Sequence, residues 1–274
     1  MDIKAFKMDG LGNDFVIIDQ RIHDLNLSKD QIIKICDRNF IGCDQLILIK
    51  KNSEIDADLE FYNSDGSTSG ACGNGTRCIA DFLSKESDQK EITVLTSSGL
   101  LKSRILGNNL VETEIGIPKT NWEEIPLSRK LDTKDLEIKI IDKNNNEHIG
   151  GIAVNVGNPH IVFFVNDIEN FDLKKVGPEI ENHELFPEKC NVTLAKVISK
   201  NLIKVKVWER GAGLTKACGT AACATAVAGN IKSLVGKTTD IEFTLGKLTI
   251  SIDEKNSIHM KGPVSNIKNI EIKL

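Results

Sequence analysis

The chain has no apolar run long enough to cross a bilayer, no block of lysine or arginine, no Cys-x-x-Cys spacing and no low-complexity segment. Each absence removes a class of function. A membrane-spanning helix needs about 20 apolar residues, so no such span is expected. The opening MDIKAFKMDG lacks a basic segment followed by an apolar one, so no export signal is read and a cytoplasmic setting is expected. A formal net charge of -4 without clustered basic residues argues against nucleic acid or anionic membrane as the main partner, leaving small molecules as the default ligand. Seven cysteines is an odd count for such a chain, so free thiols are expected rather than a disulfide framework. Their spacing does not suit zinc, so no metal is expected. The glycine clusters Gly10–Gly12 and Gly70–Gly75 lack a βαβ setting and carry no nucleotide cofactor.

What is present is a chain of 274 residues, 40% hydrophobic and 27% charged, long enough for one large domain or two smaller ones. Short β-branched runs dominate: IKAFKM, FVIID, QLILIK, DLEFY, EITVLT, LKSRIL and LVETEI in the first part, then EIKIID, IAVNV, HIVFFV, NLIKVKVW, IEFTL and KLTISID. Turn residues at Gly107–Asn109, Lys143–Asn146, Gly246-Lys247 and Glu254–Asn256 predict hairpins, hence antiparallel or mixed sheets. Helices are few. Ser28 with Gln31 makes a capping-box pattern before IIKIC, and further helices are predicted over Gly73–Ser84, Leu173–Asn182 and Gly219–Lys232. The last is small or apolar on nearly every side and is expected to be enclosed by sheet. Pro118–Pro126 reads as a linker, and SNIKNIEIKL at the end reads as a final strand.

The two halves match in order. An offset of 146 residues puts Cys218 on Cys72, Glu209 on Asn63, Trp208 on Tyr62 and Asn191 on Gln45; an offset of 145 puts Gly157-Asn158 on Gly12-Asn13. Each half reads Gly-Asn, strand, amide, strand ending in an aromatic, glycine-rich loop, Cys-Gly, helix. A duplicated domain is the economical reading.

A cysteine at a helix start faces unpaired N–H groups and the positive end of the helix dipole, which favour thiolate over thiol. The amides that follow, from Gly73-Asn74 and Gly219-Thr220, suit a carboxylate. Two lobes facing one cleft would set Cys72 and Cys218 on opposite faces of a bound molecule. That arrangement suits inversion of a carbon stereocentre, where one group removes a proton and another returns one from the far side.

GLGNDFVIID, DQLILI, NSDGS with ACGNGTRC, GNPH, and ERGAGLTKACGTAACA resemble, in order, the motifs of the diaminopimelate epimerase family. The resemblance runs from residue 8 to about residue 226. It implies cofactor-independent conversion of LL-2,6-diaminopimelate to the meso isomer, on the route to lysine and peptidoglycan. It also implies an α+β fold of two pseudo-symmetric lobes, each a mixed curled sheet around a central helix, with the active site between them, and a homodimer. By the same resemblance Cys72 and Cys218 are the acid/base thiols. Asn63, Asn191, Glu209 and Arg210 hold the distal amino-acid end; Asn13, Gln45, Asn74 and Asn158 line the pocket; and His160 lies near the site, where it tunes a cysteine. Three positions depart from the family's pattern: Leu214 stands for an acidic residue, Cys43 for alanine and Ala221 for glycine.

Two alternatives stay open. The related proline and hydroxyproline racemases also pair two cysteines, and a non-catalytic amino-acid-binding protein would use every loop named here without the thiols. Oxidation would convert facing Cys72 and Cys218 thiols to a disulfide, inactivating an epimerase. The expected boundaries are 1–117 with 263–274 for the N-terminal lobe and 118–262 for the C-terminal lobe.

Overall fold

The computed structural model describes residues 2–22 and 25–274. They fall into two compact units, Met1–Glu114 with Lys261–Leu274, and Ile115–Met260.

The first unit carries β1 (Asp2–Gly10), β2 (Asn13–Asp19), α1 (Lys29–Cys36), β3 (Gln45–Lys50), β4 (Ala57–Asn63), β5 (Thr68–Ser69), α2 (Gly73–Ser87), β6 (Glu91–Thr96) and β7 (Gly99–Gly107), and β8 (Leu110–Gly116) runs across the first boundary. The second carries β9 (Ile138–Ile141), β10 (Glu147–Gly150), β11 (Ile152–Asn155), β12 (Pro159–Phe164), α3 (Leu173–Glu181), β13 (Asn191–Ser199), β14 (Leu202–Glu209), β15 (Gly213–Thr215), α4 (Gly219–Ile231), β16 (Thr238–Phe243) and β17 (Gly246–Ile252). β18 (Ile258–Pro263) spans the second boundary, and β19 (Lys268–Lys273) returns to the first unit as an antiparallel partner of β1.

The duplication is visible as repeated pairing. β1–β2 is antiparallel, β2–β3 parallel, β3–β4 and β4–β5 antiparallel, β4–β6 parallel and β6–β7 antiparallel. β11 through β17 repeat that order of directions.

Strands β2 and β3 of the first unit are buried on both faces, which explains why they are continuous apolar runs, whereas β4 and β6 alternate. Phe15 and Ile17 of β2, with Ile47 and Ile49 of β3, join the cluster that holds Cys78, Ile79 and Phe82 of α2. Their neighbours Val16, Ile18, Leu46 and Leu48 join the cluster that holds Ile32, Ile35 and Cys36 of α1. Each such side chain contributes roughly 1.5–3 kcal/mol by leaving water. The capping box forms: Ser28 accepts from the Gln31 amide, and the Gln31 side chain accepts from the Ser28 amide at 2.9 Å. Gly75 permits the close seat of α2, because a Cβ there would lie 2.8 Å from Phe61, 2.9 Å from Ile47 and 3.3 Å from Phe15.

In the second unit the expected enclosure of α4 is observed: Ala221, Ala222, Cys223, Ala224, Thr225, Ala226, Val227 and Ala228 are all buried. Other expectations are corrected. Pro118–Pro126 is not a loose linker; Lys119 pairs with Asn155, and Ile125 and Trp122 pack into the core of this unit. β13 and β18 were not read as strands. The first five residues of β13 are all buried, so it lacks the alternation that marks a half-exposed strand. The predicted turn at Gly246-Lys247 lies two residues earlier, with both residues paired in β17.

Candidate active site

Each unit delivers a cysteine to the N-cap of a helix whose first turns are largely buried. Cys72 is the N-cap of α2, with φ -138° and ψ 111°, and Cys218 is the N-cap of α4, with φ -141° and ψ 117°. Helix geometry leaves the first amides after each sulfur without intrahelical partners, here those of Gly73-Asn74 and Gly219-Thr220. The carbonyl of each cysteine opens its helix, accepting from the Thr76 amide at 2.8 Å and the Ala222 amide at 3.1 Å.

Around Cys72 the first unit gathers amides. The Cys72 thiol lies 3.6 Å from Asn13 Oδ1, which also accepts from Asn74 Nδ2 at 3.3 Å. Asn74 is buried and takes a hydrogen bond from the fully buried Arg77 at 2.9 Å. Asn13 in turn donates through Nδ2 to Asp44 Oδ2 at 3.0 Å. Register places the second amide pair, since Gln45 stands opposite Asn63 across β3 and β4, and Gln45 Nε2 donates to Asn63 Oδ1 at 2.9 Å.

The second unit repeats this layout with more charge. Asn191 opens β13 beside His160 of β12. Its Oδ1 accepts from the Arg210 amide at 3.0 Å, and its Nδ2 donates to the Pro159 carbonyl at 3.0 Å. His160 Nε2 lies 2.8 Å from Asn158 Oδ1. Burial, with the Arg210 cation adding to it, holds His160 down at about 3. Thus Asn158, His160, Asn191 and Arg210 are brought together, and His160 contacts the asparagines. Arg210 is exposed and spends one of its N–H groups on the Glu188 carbonyl at 2.8 Å.

Cys218 is 5% exposed, and its sulfur lies 3.4 Å from the Thr220 hydroxyl. A helix start alone favours thiolate, but here burial pushes the Cys218 thiol well above its ordinary range. The Glu209 carboxylate pushes it further, while the Thr220 hydroxyl and the Ala221 amide pull it back. The expected preference for thiolate is therefore reversed at this cysteine, since desolvation and a nearby negative charge both penalise the anion.

Several supporting residues escaped the sequence reading. Asp44 fixes Asn13, and Arg38 fixes Asp44 at 2.7 Å. Buried Glu181 accepts from Trp208 Nε1 at 2.7 Å and from the Gly211 amide at 3.1 Å, so it holds the turn that presents Arg210. Trp208 was flagged by its alignment with Tyr62; Glu181 is distant in sequence and had no such signal.

The diaminopimelate epimerase family model matches two stretches of the chain, residues 5–120 and 152–267. The chain belongs to the diaminopimelate epimerase family. The two matched stretches mirror the repeated strand order. The chain is 83% identical to the diaminopimelate epimerase of Pelagibacter ubique over 274 residues, covering all of both chains. It is 41% identical to that of Acidiphilium cryptum over 260 residues, covering 94% of this chain and 92% of the relative. Among solved structures, a PhzF-family phenazine biosynthesis protein of Bacillus anthracis aligns over 100% of both chains with TM-score 0.69 at 14% identity. A hydroxyproline epimerase of Agrobacterium vitis aligns over 99% of this chain and 93% of that one, with TM-score 0.68 at 13% identity. At such low identity these two show the fold alone. No helix among the described residues is long and apolar enough to cross a membrane, and no group of three or more His, Cys, Asp or Glu among them is placed to hold a metal ion.

Proposed function

We infer that this protein is an isomerase that converts LL-2,6-diaminopimelate to the meso isomer in lysine biosynthesis, with Cys72 and Cys218 exchanging acid and base roles at one α-carbon. The observation that carries the assignment of the thiols is the pair of helix starts, each built on Cys-Gly with nearly equal backbone angles, in a chain of this family. Inversion needs a proton taken from one side of the carbon and returned to the other, and two thiols supply both groups.

The barrier is the carbanion, because the α-proton of an amino acid is far less acidic than a thiol. The amides of Gly73, Asn74, Gly219 and Thr220 would receive the α-carboxylate, where negative charge builds up. Each such donor contributes on the order of 3 kcal/mol in acyl-transfer enzymes. Burial and Glu209 keep Cys218 protonated at neutral pH, so Cys218 enters as the acid when Cys72 enters as the base. The reverse reaction exchanges the roles.

The side chains of Asn13, Gln45, Asn63, Asn158, Asn191, Glu209 and Arg210 would hold the substrate. Amides suit a substrate with an ammonium and a carboxylate at each end, since they both donate and accept. The Arg210 fork would grip the distal carboxylate, while Glu209 and the asparagine oxygens would accept from the distal ammonium. A homodimer, implied by the family resemblance, and a cytoplasmic location complete the proposal.

The test is incubation of reduced protein in deuterated water with LL- or meso-diaminopimelate, and separately with proline, without added pyridoxal phosphate. Exchange at the α-carbon of diaminopimelate alone supports the reading. Exchange of proline would move the activity to the racemase class, and no exchange with binding retained would make the protein a binder.

A further inference from the structure

A second thiol pair lies in the first unit, away from any role in the reaction above. Cys36 ends α1 and Cys43 precedes β3; both are buried, at 3% and 2% exposure, and their sulfurs are 3.5 Å apart. The backbone holds them together, for the Cys43 amide donates to the Cys36 carbonyl at 3.2 Å and the Gly42 amide to the Ile35 carbonyl at 3.0 Å. Gly42 makes the return at φ +77°, where a Cβ would meet the Arg38 Cα at 2.9 Å. A disulfide has its sulfurs about 2.05 Å apart, so a closing movement of roughly 1.5 Å separates the pair from a bond.

The loop between the two cysteines reaches the candidate site. Asp37–Phe40 is exposed, and within it Arg38 clasps both Asp14 oxygens and Asp44 Oδ1, each at 2.7 Å. Asp44, next to Cys43, accepts from Asn13 Nδ2 at 3.0 Å, and Asn13 Oδ1 stands 3.6 Å from the Cys72 sulfur. Displacement of Cys43 is therefore passed through one peptide and two hydrogen bonds to Cys72.

We propose that Cys36 and Cys43 form a thiol–disulfide pair, oxidised by a small-molecule disulfide, whose closure disturbs the Cys72 end of the site through Asp44 and Asn13. Cys36 is the attacking sulfur, because it accepts the Cys43 S–H and lies near Arg38, both of which favour its thiolate. Its thiolate attacks one sulfur of the reagent, expelling one thiol and leaving a mixed disulfide. Cys43 loses its proton and displaces the second thiol, so one reagent disulfide is reduced to two thiols while the Cys36–Cys43 bond forms. The reagent enters on opening of the exposed loop, and the family's usual alanine at position 43 would abolish the pair.

The experiment treats the whole protein with oxidised glutathione, blocks remaining thiols, and digests with trypsin without reduction. Trypsin cuts after Arg38, inside the closed ring, so peptides 35–38 and 39–50 stay joined only through the disulfide. This readout is independent of the reaction proposed above. Wild type is expected to yield the joined peptides and to lose about tenfold or more of its α-hydrogen exchange rate, recovered with dithiothreitol. Cys43→Ala, in which oxidation of the Cys72 and Cys218 thiols remains the route to inactivation, is expected to lose several-fold less of its rate than wild type under the same treatment. Absence of the joined peptides overturns the proposal, as does equal loss of rate in Cys43→Ala; joined peptides with an unchanged rate overturn the link to Cys72.

Discussion

Cys72 and Cys218 sit on helix starts whose backbone angles agree within a few degrees, yet one sulfur faces the neutral amide of Asn13 and the other is pushed upward by the carboxylate of Glu209. At the position matching Glu209 the first unit has Asn63, which is engaged with Gln45 and Ser67. Duplication thus supplied two equivalent backbones, and substitution at one strand end made their charges unequal. That inequality would suit the proposed two-thiol reaction, which needs one thiol protonated while the other is not.

The comparison breaks most severely if either sulfur is removed. Cys72→Ser and Cys218→Ser should each lower epimerisation by about a thousandfold, within the range general acid–base groups contribute, while folding is retained by circular dichroism. A smaller effect sharpens it. Glu209→Gln removes a charge that raises the Cys218 thiol, so thiolate absorbance at Cys218 should appear at lower pH than in wild type. The next test concerns the helices themselves. Gly75→Ala would drive a Cβ into the buried Phe61, Ile47 and Phe15 and should cost about 1–3 kcal/mol in denaturant unfolding. The matching residue of α4 is Ala221, fully buried, so Ala221→Gly should cost only about 1 kcal/mol through helix propensity.

Much of this was legible in the sequence, because strand runs, turn residues and the Ser28 capping box act locally. The near-constant offset, 146 residues at the Cys-Gly motifs and 145 at the Gly-Asn pairs, carried the duplication, since it keeps polar, aromatic and cysteine positions in order. What the sequence withheld is through-space. Glu209 lies nine residues before Cys218 with a turn and a short strand between them, and nothing in that spacing shows that burial would overcome the helix start at Cys218. Glu181 supports the Arg210 turn from another helix, and Asp44 had no role in the sequence reading because only the fold brings it onto Asn13. Pro118–Pro126 read as a linker because its prolines and charges are conspicuous, whereas Ile125 and Trp122 decide its packing.

The division of labour between the two thiols is tested most directly by early isotope partition in deuterated water, starting from LL-diaminopimelate. If one thiol removes the proton and the other returns a different one, the first product carries deuterium at the inverted carbon while recovered substrate still carries protium. Deuterium appearing equally in recovered substrate and product from the first turnovers would mean that a single group serves both sides, and would contradict the account.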